Sequence, residues 1–261
     1  MNNIRKYGCA PFSVAVIHGG PGAAGEMAPV AQELSRTQGI LEPLQTKATI
    51  NAQIQELADI LKNHGNPPLT LIGHSWGAWL AMMYTVRYPS SVKKLILVGS
   101  GPFEQHYVSH ITETRLNRMN DEEKQKFQTM TKKLNDPHEK EKDTLFAQLG
   151  SILVLTDSCH PLTSTESTMN IQYRIFQGVW NEADTMRRSG KLLDLARQLQ
   201  CPVVAIHGDY DPHPFEGVEQ PLSKIVKEFS FILLHCCGHY PWIERDAKKE
   251  FYAALERELR K

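Results

Sequence analysis

Hydrophobic positions fall along this chain in short, nearly continuous bursts, separated by stretches in which they recur every three or four residues. The bursts are Phe12 to Ile17, Leu69 to Ile72, Leu95 to Val98, Val203 to Ile206 and Phe231 to Leu234. Runs of that length without polar alternation read as strands covered on both faces. Between them, Ile50, Ile54, Leu57, Ala58 and Leu61 repeat at helical spacing and stop before the breaker-rich HGNPP. Ile243, Ala247, Phe251, Leu255 and Leu259 lay a similar stripe along the C-terminus. Strand and helix in alternation predict an α/β fold, a mostly parallel sheet with helices on both faces.

From about Phe103 to Ser189 this rhythm breaks. The segment is helical in pattern and densely charged, as in DEEKQKFQTMTKKLNDPHEKEKD, and it predicts a helical insertion over 103–189 in a core made of 1–102 and 190–261. The charge run reads as the solvated face of helices rather than a partner site. SILVL at 151–155 and YRIFQGVW at 173–180 need burial. The sheet edge at the mouth of a site would supply it, which would make the insertion a cap.

Composition narrows the functional classes. At 261 residues, 41% hydrophobic and 22% charged, the chain can bury a sizeable core, and one domain with an insertion accounts for it. Lys+Arg and Asp+Glu balance at 29 each, leaving no net field to recruit nucleic acid or an anionic membrane. The expected partner is a small molecule or short peptide. No run approaches the ~18 apolar residues of a membrane span. No apolar stretch follows the basic pair in MNNIRKYGCAPFSV, so neither a secretory signal nor a location outside the cytoplasm is expected. Cys9, Cys159, Cys201, Cys236 and Cys237 form no disulfide framework and read as free thiols. Cys236 and Cys237 lie near His239, but no CxxC pair or second ligand cluster accompanies them, and no metal is expected.

The chemistry concentrates at strand ends. Gly73-His74-Ser75-Trp76-Gly77 is a G-x-S-x-G placed directly after the strand LTLI and before the helix-like AWLAMMYTVRY. A nucleophile on so sharp a strand-to-helix turn has close backbone neighbours, so its flanks must be glycine. The helix N-terminus behind Ser75 favours developing negative charge. HGGPG at 18–22 follows the strand SVAVI, and its glycines let the backbone approach a substrate oxygen. Gly20 and Trp76 are the expected N–H donors to a tetrahedral intermediate.

A serine hydroxyl needs a base, and the base an orienting acid. VVAIHGDYDPHP places Asp209 and Asp211 just past one strand, and LLHCCGHYPWIE places His239 just past the next. The order Ser, Asp, His is that of one convergent triad class. His18, His74 and His207 lack that context and read as hydrogen-bonding groups beside the site. No cofactor is implied, because nucleophile, base and oxyanion donors are all protein groups.

HGGPG, GHSWG, HGDYDPHP and GHYPWIE together closely resemble the α/β-hydrolase superfamily, and HGGPG with SWG resembles its proline-iminopeptidase branch. The resemblance spans nearly the whole chain. It implies that the acid is Asp211, not Asp209, and it matches Glu244 to the family's GHxxxxE pattern, read as a residue stabilising the start of a helix. Three departures stand out. The elbow carries His74 where the branch usually has glycine. Pro212 occupies the place of an acidic residue that binds the substrate's amine, a role that Glu104, Glu113 or Glu182 would have to assume. Fewer than twenty residues precede HGGPG, which predicts a sheet of about six strands without the N-terminal hairpin, with the strand around Ile40 to Leu44 near an edge. That edge should be covered by a helix, by the N-terminal tail or by a second subunit, leaving a homo-oligomer through the edge or cap open.

The sequence thus predicts a serine hydrolase cleaving a small ester, amide or acyl compound through Ser75, His239 and Asp211. Gly19, His74, Phe103, Glu104 and Trp180 are the candidates for the substrate pocket. Trp76, Trp79, Phe103 and Trp180 would favour an apolar substrate group if they line the pocket, but aromatics at such spacings are more often core. An aminopeptidase of the proline-iminopeptidase kind and a non-catalytic ligand receptor on the same fold are the competing readings.

Overall fold

The computed structural model describes residues 3–162 and 169–261. In chain order the first half carries strands β1 (Ile4–Tyr7), β2 (Phe12–Ile17) and β3 (Ala23–Ala24), helix α1 (Ala28–Leu34) and strand β4 (Gly39–Pro43). Helix α2 (Ile50–His64), strand β5 (Leu69–His74), helix α3 (Trp76–Arg87) and strand β6 (Val92–Val98) follow. Helices α4 (Val108–Arg118), α5 (Asp121–Leu134) and α6 (Lys142–Thr156), strand β7 (Asn170–Ile171), and helices α7 (Tyr173–Arg188) and α8 (Lys191–Ala196) lie before the sheet resumes. Strand β8 (Val203–Gly208), helix α9 (Glu216–Ile225), strand β9 (Phe229–Leu234) and helix α10 (Lys248–Arg260) complete the chain.

The main sheet has seven strands in the order β1-β4-β2-β5-β6-β8-β9, all parallel except β1, which runs antiparallel to β4. The six parallel strands expected are present; β1 is a seventh, antiparallel strand, and it leaves β4 second from the edge. The N-terminal tail covers that edge. Ile-Arg-Lys-Tyr is too short and too basic to read as a buried strand, yet those charges suit an edge, where they discourage pairing with another chain. Among the described residues β1 does not pair with β2, so the two form no N-terminal hairpin.

The period of two along each strand divides the core. Ala15, Ile17, Leu71, Leu95, Leu97 and Ala205 share one apolar cluster with α2, α3 and α8. Val14, Val16, Ile72, Ile96, Val204 and Ile206 share another with α1 and α10. Both faces are thus covered, which is why these strands read as unbroken apolar runs. β9 differs from expectation, since Phe231, Ile232 and Leu233 are only half-buried and Leu234 alone is fully inside. It is the far edge strand and has a neighbour on one side. α3 is apolar around nearly its whole circumference and is buried accordingly, behind the elbow it supports.

Between β6 and β8 the helices build a small apolar cluster of their own around Leu134, Leu149 and Tyr173. α5 begins with a capping box formed by Asn120 and Glu123 and is largely solvated, as its charge predicts. Tyr173, Ile175 and Val179 of α7 are buried, but Ile152, Leu153 and Val154 are only half-buried and Leu155 is 65% exposed, so the expected burial of SILVL is not met. β7 pairs with β3 and so ties this segment to the loop after HGGPG. Among the described residues no helix is long and apolar enough to cross a membrane.

Candidate active site

The C-terminal ends of β2, β5, β6 and β8, together with the turn after β9, converge on one point. Ser75 joins β5 to α3 with φ 52° and ψ −118°, a strained conformation for a residue with a side chain, and its N–H donates to the Val98 carbonyl at 2.9 Å. The elbow is packed to the limit. A Cβ on Gly73 would sit 2.2 Å from the Gly77 oxygen, and one on Gly77 would sit 2.2 Å from the Ile17 oxygen. Ser75 keeps partial exposure while both neighbours are buried.

Asp211 and His239 meet across the ends of two strands. His239 Nδ1 lies 2.7 Å from Asp211 Oδ2 and, facing a carboxylate, donates to it. That leaves Nε2 as the ring's free acceptor. Asp211 Oδ1 accepts from the backbone N–H of His213 at 2.9 Å and from its Nδ1 at 2.8 Å, while His207 Nε2 lies 3.3 Å from Oδ2. Burial alone would raise the pKa of this carboxyl, but interaction with His239, His213 and His207 outweighs it and holds Asp211 well below its ordinary range. His239 is lowered from the usual histidine value, chiefly by burial, although Asp211 pulls the other way. Asp209 is turned elsewhere. It meets the exposed His235 at 3.0 Å and the Cys237 N–H at 3.3 Å.

Gly20 and Trp76, the expected oxyanion donors, have no acceptor for their N–H groups among the described residues. Gly19 does not line a pocket as expected. It is buried, and its N–H donates to Glu26 Oε2 at 2.7 Å. His74 is also corrected as a pocket residue, because it is fully buried with Nδ1 2.9 Å from Glu26 Oε2 and Nε2 2.9 Å from the His239 carbonyl. Phe103 is corrected likewise. At 1% exposure it belongs with Trp76 and Trp79 to the core, where apolar area is removed from water. Trp76 further donates its indole N–H to Gln53. Trp180 is half-buried, stacked on Trp79 with ring centroids 6.0 Å apart and on Phe176 at 6.1 Å.

Of the carboxylates considered for an amine, Glu113 is exposed, Glu182 accepts the Ile50 N–H at the start of α2, and Glu104 is half-buried. Glu244 is structural, but not at a helix start. Fully buried, it accepts the N–H groups of Cys159, His160 and Gly238 and so fixes the turn carrying His239. His18 and His207 are buried hydrogen-bonding groups. Two residues escaped the sequence reading. His213, stacked on His239 with centroids 4.4 Å apart, was signalled only by its spacing of two from Asp211, which suits an Asx-type turn. Glu26 had no signal beyond being a lone acid in an apolar stretch.

Asp211, His213 and His239 are the one group among the described residues whose ligand-type atoms converge within 4.8 Å. Those atoms already bond one another, and the arrangement is read as a hydrogen-bonded network. Clefts of about 370 and 560 Å³ lie on the helical segment, and neither is lined by Ser75, Asp211 or His239.

This geometry can be set beside known proteins. A family model described as alpha/beta hydrolase fold matches residues 21–246. The chain belongs to the α/β-hydrolase family. Among solved structures of the fold, it resembles VinJ at 15% identity, covering 98% of this chain and 94% of that one, with a TM-score of 0.72. A structure from a study of carboxylesterases of the thaumarchaeon Nitrososphaera gargenis matches at 18% identity, 98% and 93% coverage and a TM-score of 0.66. The proline iminopeptidase of Mycobacterium smegmatis matches at 16% identity, 98% and 93% coverage and a TM-score of 0.62. At these identities the likeness is one of fold, and it does not choose among substrates.

Proposed function

We propose that this α/β-hydrolase family member is a serine hydrolase that cleaves a small ester or amide through an acyl-enzyme on Ser75. The observation that carries the reading is the His239–Asp211 bond at 2.7 Å, which fixes the imidazole in the tautomer that can take a proton at Nε2. Ser75 Oγ attacks the substrate carbonyl as its proton passes to His239. Gly20 and Trp76 N–H groups hold the oxyanion. Collapse breaks the bond to the leaving alcohol or amine, which takes the proton from His239. Water, deprotonated by the same ring, then attacks the acyl group and releases the acid, returning the proton to Ser75.

The aminopeptidase alternative rests on HGGPG and SWG and requires a carboxylate to pair the substrate's ammonium, since Pro212 cannot. Of the three considered, Glu104 alone is neither exposed nor engaged as a helix cap, and it favours this reading only if it reaches the bound amine.

Short p-nitrophenyl esters assayed beside prolyl and alanyl naphthylamides, with wild type and Ser75→Ala in parallel, test the proposal. Ester cleavage with a burst, lost in Ser75→Ala, is expected. Cleavage of the prolyl amide would move the protein to the peptidase branch. Full activity in Ser75→Ala would overturn the nucleophile, and silence with no covalent labelling of Ser75 would leave a receptor.

A further inference from the structure

We propose that the half-buried Glu26 and the fully buried His74 form a pair sharing one proton, which latches the HGGPG loop to the nucleophile elbow and the His239 turn and so positions the Gly20 N–H for the oxyanion. This role rests on the reading of Ser75 as nucleophile. His74 precedes Ser75, and its ring centroid lies 4.7 Å from that of His239.

The proton count follows from the partners. The His239 carbonyl, 2.9 Å from His74 Nε2, can only accept, so Nε2 carries a proton. Glu26 Oε2 accepts the Gly19 N–H at 2.7 Å and also lies 2.9 Å from His74 Nδ1. Without a further proton between Oε2 and Nδ1, two lone pairs would face each other inside the protein, where such a mismatch is costly. One proton between them satisfies every atom and leaves the pair with no net charge. Burial raises the Glu26 carboxyl, but His74 and the Gly19 N–H outweigh it and bring it below its ordinary value. The other titratable groups around the pair are His18, Glu42, Tyr240 and His239. His18 is pushed toward its neutral form by burial, and Tyr240 is held protonated for the same reason.

The same contacts aim the oxyanion donor. The peptide bearing the Gly20 N–H has the Gly19 carbonyl as its other end, and that oxygen is 2.9 Å from His18 Nδ1. His18 Nε2 accepts the Gln45 N–H at 3.2 Å, so Nδ1 is the protonated nitrogen and donates. A trans-disposed N–H points away from its carbonyl, so anchoring the Gly19 oxygen on His18 and the Gly19 N–H on Glu26 leaves Gly20 N–H one direction. The Gly19 backbone is wedged at this spot. A Cβ there would lie 2.7 Å from Glu26 Oε2 and 3.0 Å from Ser75 Cβ.

Glu26→Gln is the informative change, because an amide cannot replace the shared oxygen. With its oxygen at the Oε2 position it has neither a proton to share with His74 Nδ1 nor a charge to hold one there, and with its nitrogen there it opposes the Gly19 N–H. In ester hydrolysis, kcat should fall about 10- to 100-fold, at or below the lower end of the roughly 100- to 1000-fold loss for a deleted oxyanion donor because Gly20 N–H is misaimed rather than removed, while KM changes less than about threefold. Affinity for a boronic-acid transition-state analogue should fall with kcat. Nitrogen-15 and proton spectra of the wild type should show a hydrogen-bonded proton between His74 Nδ1 and Glu26 Oε2. The absence of a hydrogen-bonded proton between Glu26 and His74 in the wild type would overturn the pair, and this readout stands even if Glu26→Gln fails to fold. A folded Glu26→Gln enzyme with unchanged kcat and analogue affinity would overturn the positioning role. Wild type that takes no fluorophosphonate on Ser75 would instead overturn the hydrolase reading, and the oxyanion role with it.

Discussion

Replacing Asp211 by asparagine tests the site most sharply, because the surroundings dictate which way the amide must turn. The backbone N–H of His213 donates to Oδ1 at 2.9 Å and cannot become an acceptor, so the amide oxygen must take that place. The amide nitrogen then occupies the Oδ2 position, 2.7 Å from His239 Nδ1. Two donors cannot face each other there. His239 shifts its proton to Nε2 and loses the lone pair that Ser75 requires. Restoring the productive tautomer costs about 1–3 kcal/mol for a buried mismatch. The carboxylate's attraction for the imidazolium formed during attack is also lost, about 4 kcal/mol for charges some 4 Å apart at an effective dielectric of about 20. Together these are about 5–7 kcal/mol, or roughly 10⁴- to 10⁵-fold in kcat, in line with the loss of about 10⁴ known for this substitution in a serine protease triad. Ester hydrolysis and the rate of fluorophosphonate labelling measure it, with thermal unfolding to confirm that the fold persists. Asp209→Asn, which disturbs an exposed contact with His235, should cost less than about threefold. An Asp211→Asn enzyme within tenfold of wild type, or Asp209→Asn as the more damaging change, would refute the assignment.

Further outcomes follow from the same geometry. In the proposed mechanism His239 acts as a base only when neutral, and because burial lowers its pKa, the acid limb of kcat/KM should lie below the ordinary histidine value of 6.5; a limb at or above 6.5 contradicts this. His18, His207 and His239 are all lowered in the folded state, so the unfolded chain binds protons first as the pH falls. Stability to urea should therefore be full above about pH 6.5 and decline below it, each histidine adding up to about 1.4 kcal/mol per pH unit, and a flat profile between pH 7 and 5 would be inconsistent. Ser75→Gly should abolish turnover yet raise unfolding stability by about 1 kcal/mol, because relief of the strained φ and ψ exceeds glycine's entropic cost; urea melts showing destabilisation would count against strain at the elbow.

The sequence by itself determined what depends on near neighbours. G-x-S-x-G between an apolar burst and an apolar helix could be read directly, because the elbow's crowding is local and forces glycine at both flanks. The alternating fold was legible because a strand covered on both faces leaves an unbroken apolar run. The positions of Asp211 and His239 past successive strands followed from the order of elements. Tertiary structure decided whatever depends on segments distant in the chain. β1 is a strand only because β4 offers it an edge, and its own residues carry too little apolar signal to announce it. SILVL remains half-exposed because hydrophobicity states a preference for burial, not which neighbours are within reach. Phe103 and His74 look like pocket residues in one dimension, yet packing encloses them. Glu26 gains its meaning from His74, 48 residues away, and His74 from the His239 carbonyl, 165 residues further on. Hydrogen bonds between such groups are set by distance and proton count in three dimensions, and periodicity and composition carry neither.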